Sequence, residues 1–441
     1  MNPEEIARYI LRQLSKKAED VIVNIDNTDK TQIKFVNNEI AASQTWQDTS
    51  LHVFMNYRKR LISTSLEKMN PASANTLVTK MIKFAESSEP KSDYFGIANG
   101  PFKYSKLENY DTKIENLSDK SIDIVRAGIN GALEEGAKRC AGVLEFSNSS
   151  THLLTSKGVD AKDRQTEIYF SIRAFLEKDA SGYSNLVSTK LTNFNAAKAG
   201  REAGEIAVLA KNPVKLKPGK YHLIIDPYPF ASLLDYFGSA SSIYSVESGW
   251  SFFANMLGKQ VAAPSVTIYD DGTLADGLGT AKFDAEGVPS MKTAIINKGI
   301  LKTYLHNTST AKKYNTKTTA SAGLLSPEPS NIVLAPGKLK QEKLYNGFTG
   351  LRVSNIWYTR FQNYLTGDFS TIPRDGIFLI KDGEIKQSVK DIRISDNMIN
   401  LFKSIKGTTK EQKQSSGWEV ETPVLCGSAL LKGINITASV K

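Results

Sequence analysis

In the first half of the chain the order helix, short alternating strands, helix occurs twice, and this recurrence constrains the fold more than any other feature. The first copy opens on a helix that Asn2 caps. Pro3 fits its first turn, Glu4 and Glu5 favour its N-terminal dipole, and Ile6, Tyr9, Ile10 and Leu14 share one face. Alternating runs at 21–25, 32–36, 50–56 and 61–65 read as antiparallel strands, and Asn70-Pro71 opens a second helix that ends before Pro90. The second copy has a helix over about 117–139 and strands at 142–146, 151–156, 167–176 and 185–190. Its closing helix spans 193–211 and stops at Pro213. Residues 31–35 fall against 151–155, an offset of 120; 51–54 fall against 168–171, an offset of 117. Asn70 and Pro90 fall against Asn193 and Pro213, an offset of 123 at both ends. This agreement predicts an internal duplication over about 1–90 and 118–213, the alternative being ordinary α+β sequence that recurs by chance. Two half-sheets, each with one apolar face, are expected to share a core within one pseudo-symmetric domain, 1–213.

Residues 213–219 form a turn-rich joint, and beyond it short strands dominate: 221–225, 265–269, 291–296, 300–305, 331–334, 351–356, 376–380, 385–388, 418–424 and 429–437. Asn297-Lys298-Gly299 and Asp382-Gly383 are hairpin signals, because glycine reaches the positive φ such turns require. Helices are expected at 229–238, 246–257, 309–314 and 396–404. The predicted fold class is therefore α+β: an N-terminal duplicated helix/antiparallel-sheet domain, then a C-terminal strand-rich, partly closed antiparallel barrel-like domain over 214–441.

Composition sets the outer limits. Apolar residues make up 40% of the 441 and charged residues 23%, which excludes a disordered or fibrous chain. No apolar run approaches the ~18 residues a membrane span needs, and Met1-Asn2-Pro3-Glu4-Glu5 carries acids where a signal peptide carries bases. A cytoplasmic protein without membrane contact is expected. Net charge is +10; residues 1–213 hold 29 bases and 27 acids, so the surplus lies almost wholly in the second half, which is +8. Its lysines are scattered, without a block of five or an aromatic-interleaved stripe, which argues against nucleic acid as a partner.

The chain is poor in the groups that carry chemistry. Cys140 and Cys426 are too distant for a Cys-x-x-Cys site and read as reduced, partly buried thiols. The four histidines, His52, His152, His222 and His306, lie at least 70 residues apart, so no helix can present two of them to one metal ion. No Gly-x-Ser-x-Gly elbow occurs. Ser65-Leu66-Glu67-Lys68 and Ser395-Asp396-Asn397 match penicillin-binding motifs only superficially, since Ser65 ends a strand and no Lys-Thr-Gly follows. The acid- and glycine-rich stretch 270–280 lacks the spacing of a phosphate or calcium loop and reads as turns. On these grounds no catalytic, cofactor-binding or metal-binding residue is assigned.

A longer stretch around it resembles a known family. Residues 257–262, the strand Val266-Thr267-Ile268-Tyr269-Asp270-Asp271-Gly272, then Gly277-Leu278-Gly279 and Phe283-Asp284-Ala285-Glu286-Gly287-Val288-Pro289 resemble the central signature of the TldD/PmbA family. The resemblance continues through 298–304, 311–314, 318–323, 366–370 and 431–437. That family has been called a modulator of DNA gyrase and is better described as a two-subunit peptidase. Its catalytic subunit carries His-Glu-x-x-x-His on a helix before the signature and a cysteine ligand near the C-terminus, which together hold zinc. Here the corresponding helix is residues 230–239, without histidine or glutamate, and the C-terminal segment 415–421 has no cysteine; Cys426 sits too late for that role. The resemblance thus implies a PmbA/TldE-type subunit with no zinc of its own. It would pair with a TldD-type His-Glu-x-x-x-His paralogue, as heterodimer or heterotetramer, and form part of a chamber for unfolded or extended peptides. Alternatives are a nucleic-acid- or gyrase-associated regulator, a self-sufficient hydrolase with an unrecognised site, and a homodimer that binds peptides alone.

Overall fold

The computed structural model describes residues 2–192 and 194–438. Helix α1 (Pro3–Leu14) begins as its sequence dictates: the Asn2 side chain accepts from the Glu5 N–H at 2.9 Å and the Glu5 carboxylate accepts from the Asn2 N–H at 2.8 Å. Three strands follow, β1 (Asp20–Val36), β2 (Glu39–Tyr57) and β3 (Arg60–Leu66), and then α2 (Pro71–Glu86). After the short α3 (Thr112–Glu115) the pattern returns as α4 (Lys120–Glu134), β4 (Arg139–Thr155), β5 (Asp160–Glu177), β6 (Ala180–Ser188) and α5 (Ala196–Leu209).

The runs at 21–25 and 32–36 are one strand, not two. Its polar middle stays extended because β2 and β4 flank it on both sides, satisfying its backbone where side-chain burial does not. The repeats join where β1 pairs antiparallel with β4, from Ile22↔Thr155 to Val36↔Ala141, giving one sheet in the order β3-β2-β1-β4-β5-β6.

The halves share this sheet but not a core, contrary to the expectation. Val21, Val23 and Ile25 pack with Ile6, Ile10 and Leu77, whereas Ile33 and Phe35 pack with Ile129, Phe170 and Ala203. All five β1 residues are odd-numbered and so face the same way; two helix pairs cover the two ends of one face, and the polar middle separates them. The closing helices are capped by Asn70 and Asn195, so equivalent caps are 125 residues apart; Asn193, where the sequence placed the second helix start, lies outside the described residues. The opposite face carries Ile22, Phe54 and Leu153, which meet Tyr94, Val159 and Phe283 and so tie the sheet to the second half.

In that half β7 (Val214–Lys215) and β8 (Gly219–Ile225) lead into α6 (Pro227–Ala240) and α7 (Ile243–Glu247). Strands β9 (Ile268–Asp271), β10 (Lys292–Asn297) and β11 (Ile300–Leu301), helix α8 (Thr308–Lys313) and β12 (Ile332–Leu334) come next. The chain ends with β13 (Gly350–Asn363), β14 (Asp368–Lys381), β15 (Glu384–Lys390), β16 (Ile392–Asn397), α9 (Met398–Lys403), β17 (Ile405–Thr408), β18 (Lys413–Gly417), β19 (Val420–Cys426) and β20 (Ala429–Ala438). One sheet runs β11-β10-β9-β12-β19-β18; in the other, β13, β8, β20, β16 and β14 pair in a circuit that closes through β13–β14. The half is therefore strand-rich and partly closed. It is not wholly antiparallel: β8–β13, β12–β19 and β7–β15 are parallel.

The helix expected at 246–257 stops at Glu247. Gly249 takes φ +75°, and the Ser251 hydroxyl donates to Ala240 O and accepts from Phe253 N–H, diverting the backbone from helical bonding. No helix among the described residues is long and apolar enough to cross a membrane.

Candidate functional site

Helix α6 starts with Pro227 in its first turn and runs through the largest core of the molecule. Tyr228, Phe230, Ala231, Leu233, Leu234 and Phe237 are all buried, and the Phe237 ring stacks on Phe402 at 3.7 Å between centroids. Its one carboxylate, Asp235, accepts from the N–H groups of Glu421 at 2.8 Å and Thr422 at 3.3 Å and so fastens the start of β19 to the helix. Burial pushes its pKa up to about 6, against the opposing pull of these hydrogen bonds.

The segment 415–421 forms the β18–β19 hairpin on the same side. Trp418 at its tip is 83% exposed, the Glu419 carboxylate accepts from Tyr358 N–H at 3.0 Å, and Ser416 O accepts from the Asn185 amide at 3.0 Å. Beneath it lie Tyr183 and Tyr228, ring centroids 5.0 Å apart; burial raises both phenols above their ordinary range. Gly417 takes φ +139°, and a Cβ there would lie 3.0 Å from the Tyr169 hydroxyl. Sequence reasoning missed these tyrosines, which come from two strands and a helix with no shared spacing.

Cys426, although set aside on sequence, comes close to the start of α6. Its thiol donates to Pro227 O at 3.3 Å, and full burial raises its pKa, which disfavours the thiolate a metal would need. Cys140 is likewise buried and raised, to about 11.

The histidines remain apart. His152 bonds Asp160 at 2.7 Å, His222 accepts from Gly433 N–H at 3.1 Å, and His52 lies 3.3 Å from the Ser50 hydroxyl. His306 faces Thr310 at 3.3 Å, and burial holds its pKa down to about 4. A water-activating zinc takes about three protein donors. Around α6 the donors are committed elsewhere: Asp235 holds two N–H groups, Asp226 at the helix N-cap pairs with Arg352 at 2.8 Å, Glu419 holds the Tyr358 N–H, and the Cys426 thiol is buried, so these residues do not fit that ion. Among the described residues no group of three or more His, Cys, Asp or Glu is placed to hold a metal.

The acidic signature does structural work of the kind its turn composition implies. Asp270 accepts from Ser330 N–H at 2.8 Å, the Ser330 hydroxyl at 2.6 Å, Asn331 N–H at 3.2 Å and the Ser321 hydroxyl at 3.1 Å. Asp284 accepts from the N–H groups of Glu286, Val288 and Ala322 at 2.9 to 3.0 Å, and burial pushes it up to about 6. Glu286 accepts from Thr308 N–H at 3.3 Å; burial, reinforced by the charge of Asp284, pushes it up to about 8. Between this signature loop and the polar middle of the N-terminal sheet lies a cleft of about 370 Å³, lined by Asn24, His52, Thr151, Asp163, Gln165 and Phe283 among others.

The description "PmbA/TldA metallopeptidase C-terminal domain" matches residues 218–438, and "PmbA/TldA metallopeptidase central domain" matches 110–211. The chain belongs to the PmbA/TldD family. It is 32% identical to a metalloprotease of Methanocaldococcus jannaschii over 231 residues, which cover 48% of this chain and 50% of that one. It is 29% identical to the metalloprotease PmbA of Escherichia coli O157:H7 over 230 residues, 50% of this chain and 48% of that one. The chain thus spans about half the length of these curated relatives. TldE from Thermococcus kodakarensis shares the fold, with a TM-score of 0.87 at 21% identity and 99% of each chain covered.

Proposed function

We propose that this chain is a non-catalytic, PmbA/TldE-type subunit of a two-subunit zinc metallopeptidase. The observation that carries the reading is the commitment of α6: the helix matching the family's metal-bearing one buries aromatic and aliphatic side chains, and its sole carboxylate holds the β19 backbone. The zinc and the hydrolytic water then belong to a TldD-type partner carrying His-Glu-x-x-x-His, and this chain contributes the facing wall of the chamber. Strand-rich walls suit unfolded or extended peptides, because edge N–H and C=O groups pair with any backbone regardless of side chains. The +8 charge of residues 214–441 favours acidic peptides.

The test is co-expression with the His-Glu-x-x-x-His paralogue. Co-purification of the two chains, with peptide hydrolysis that exceeds the summed activities of the separate chains, supports the reading. Failure to associate, or full activity of the paralogue alone, contradicts it.

A further inference from the structure

The two ends of the N-terminal sheet follow one plan and are finished differently. At the β6 end, Gly182 lets α5 sit directly on the strand, since a Cβ there would lie 2.1 Å from Ala203 O. The second half of the chain then covers that edge: Ser181 bonds Asp375 at 2.5 Å, and Phe378 packs on Ala180 and Ala210. At the β3 end α2 packs less closely: Ile62 and Leu66 meet Leu77 and Met81 in the core, and a groove of about 880 Å³ follows this seam at the surface, its walls including Ser63, Ser65, Lys80 and Phe84. Phe84 is 65% exposed on its rim.

The strand beside this groove is an open edge. Arg58 and Lys59 take φ +50° and +63° in a two-residue turn, so Tyr57 and Arg60 form the first bonded pair of the β2–β3 hairpin. Bonded pairs then fall on the even residues of β3, and Ser63 and Ser65 turn their N–H and C=O groups outward. The register continues to Leu51↔Leu66 without a bulge, and β3 carries neither proline nor lysine, the usual devices against edge pairing.

Charge selects what fits. The charged side chains lining the groove are Lys80 and Lys83, both positive. Two copies joined through β3 would bring like charges together, whereas a strand bearing carboxylates would neutralise them. We propose that the β3–α2 groove docks an extended, net acidic polypeptide segment with apolar residues at alternate positions, which adds to β3 as a further strand. This goes beyond the proposed function and does not rest on it, because it requires neither a metal-bearing partner nor hydrolysis.

The test measures fluorescence anisotropy of a labelled Glu-Leu-Glu-Val-Glu-Leu-Glu peptide, and of its Lys-for-Glu twin, on the full chain alone. Binding of the acidic peptide, with about tenfold weaker binding of the basic one, is expected. Ser65→Pro removes an outward N–H at a position where edge strands tolerate proline, and Phe84→Glu alters an exposed rim; each is expected to weaken binding about tenfold with the melting temperature preserved. Lys80→Glu with Lys83→Glu is expected to reverse the preference between the peptides. The proposal is overturned by no binding, by binding that these substitutions leave unchanged, or by self-association that Ser65→Pro abolishes without any peptide binding, which would assign the face to a second copy.

Discussion

Replacing Asp235 by Asn tests whether the acid on α6 is a structural fastener or a poised functional group. In the folded chain its pKa rises from 3.8 to about 6 because burial outweighs the two N–H groups it accepts. A carboxyl raised in this way makes the folded state bind more proton than the unfolded chain between those two values. Stability therefore falls as pH climbs through the window, by about 3 kcal/mol at full effect. Asn keeps one acceptor oxygen for β19 and removes the titration. The stability of the natural chain relative to Asp235→Asn should accordingly drop by about 2–3 kcal/mol from pH 4 to pH 7. Tryptophan-fluorescence urea denaturation at pH 4, 5, 6 and 7 measures this. A difference that stays flat, or grows in favour of the natural chain as pH rises, would refute the reasoning, since it would mean that the ionised form is the preferred folded state.

Other consequences concern packing and the signature loop. Glu286 is pushed from 4.5 up to about 8, so Glu286→Gln, which stands in for the protonated carboxyl and does not titrate, should be more stable than the natural chain at pH 7 by about 3 kcal/mol. The natural chain should lose stability relative to that variant as pH rises from 4.5 through 8, as thermal melts across that range would show. At Gly200 a Cβ would lie 2.0 Å from Gly128 O, so Gly200→Ala must force α4 and α5 apart. A loss of about 2–3 kcal/mol is expected, read as a lower urea midpoint, and unchanged stability would mean that the helices are not in backbone contact.

Local chemistry was legible in the sequence wherever neighbouring residues decide it. The Asn2-Pro3-Glu5 cap and the hairpin turns at Lys298-Gly299 and Asp382-Gly383, which take φ +49°, +80°, +53° and +85°, needed no tertiary information. The α+β class and the repeated order of elements in residues 1–213 were legible for the same reason. Alternation reports burial, however, not pairing, and so β1 read as two strands separated by polar residues that are in fact the middle of one. Strand β16 was missed because Ile392 to Asn397 is partly polar, and it becomes a strand only between β14 and β20. The parallel pairings follow from chain order in space, which no local pattern carries. At α6 the missing donors could be read directly, but not that Cys426 would reach its first turn or that three tyrosines would gather under the β18–β19 hairpin.

The central claim is that this polypeptide does not hold a hydrolytic metal through its own side chains. Metal analysis of the purified single chain after zinc loading and dialysis, with peptide hydrolysis measured on the same sample, tests it most directly. The account predicts zinc well below one per chain and no turnover. One tightly retained zinc per chain, accompanied by hydrolysis that a chelator abolishes, would contradict it.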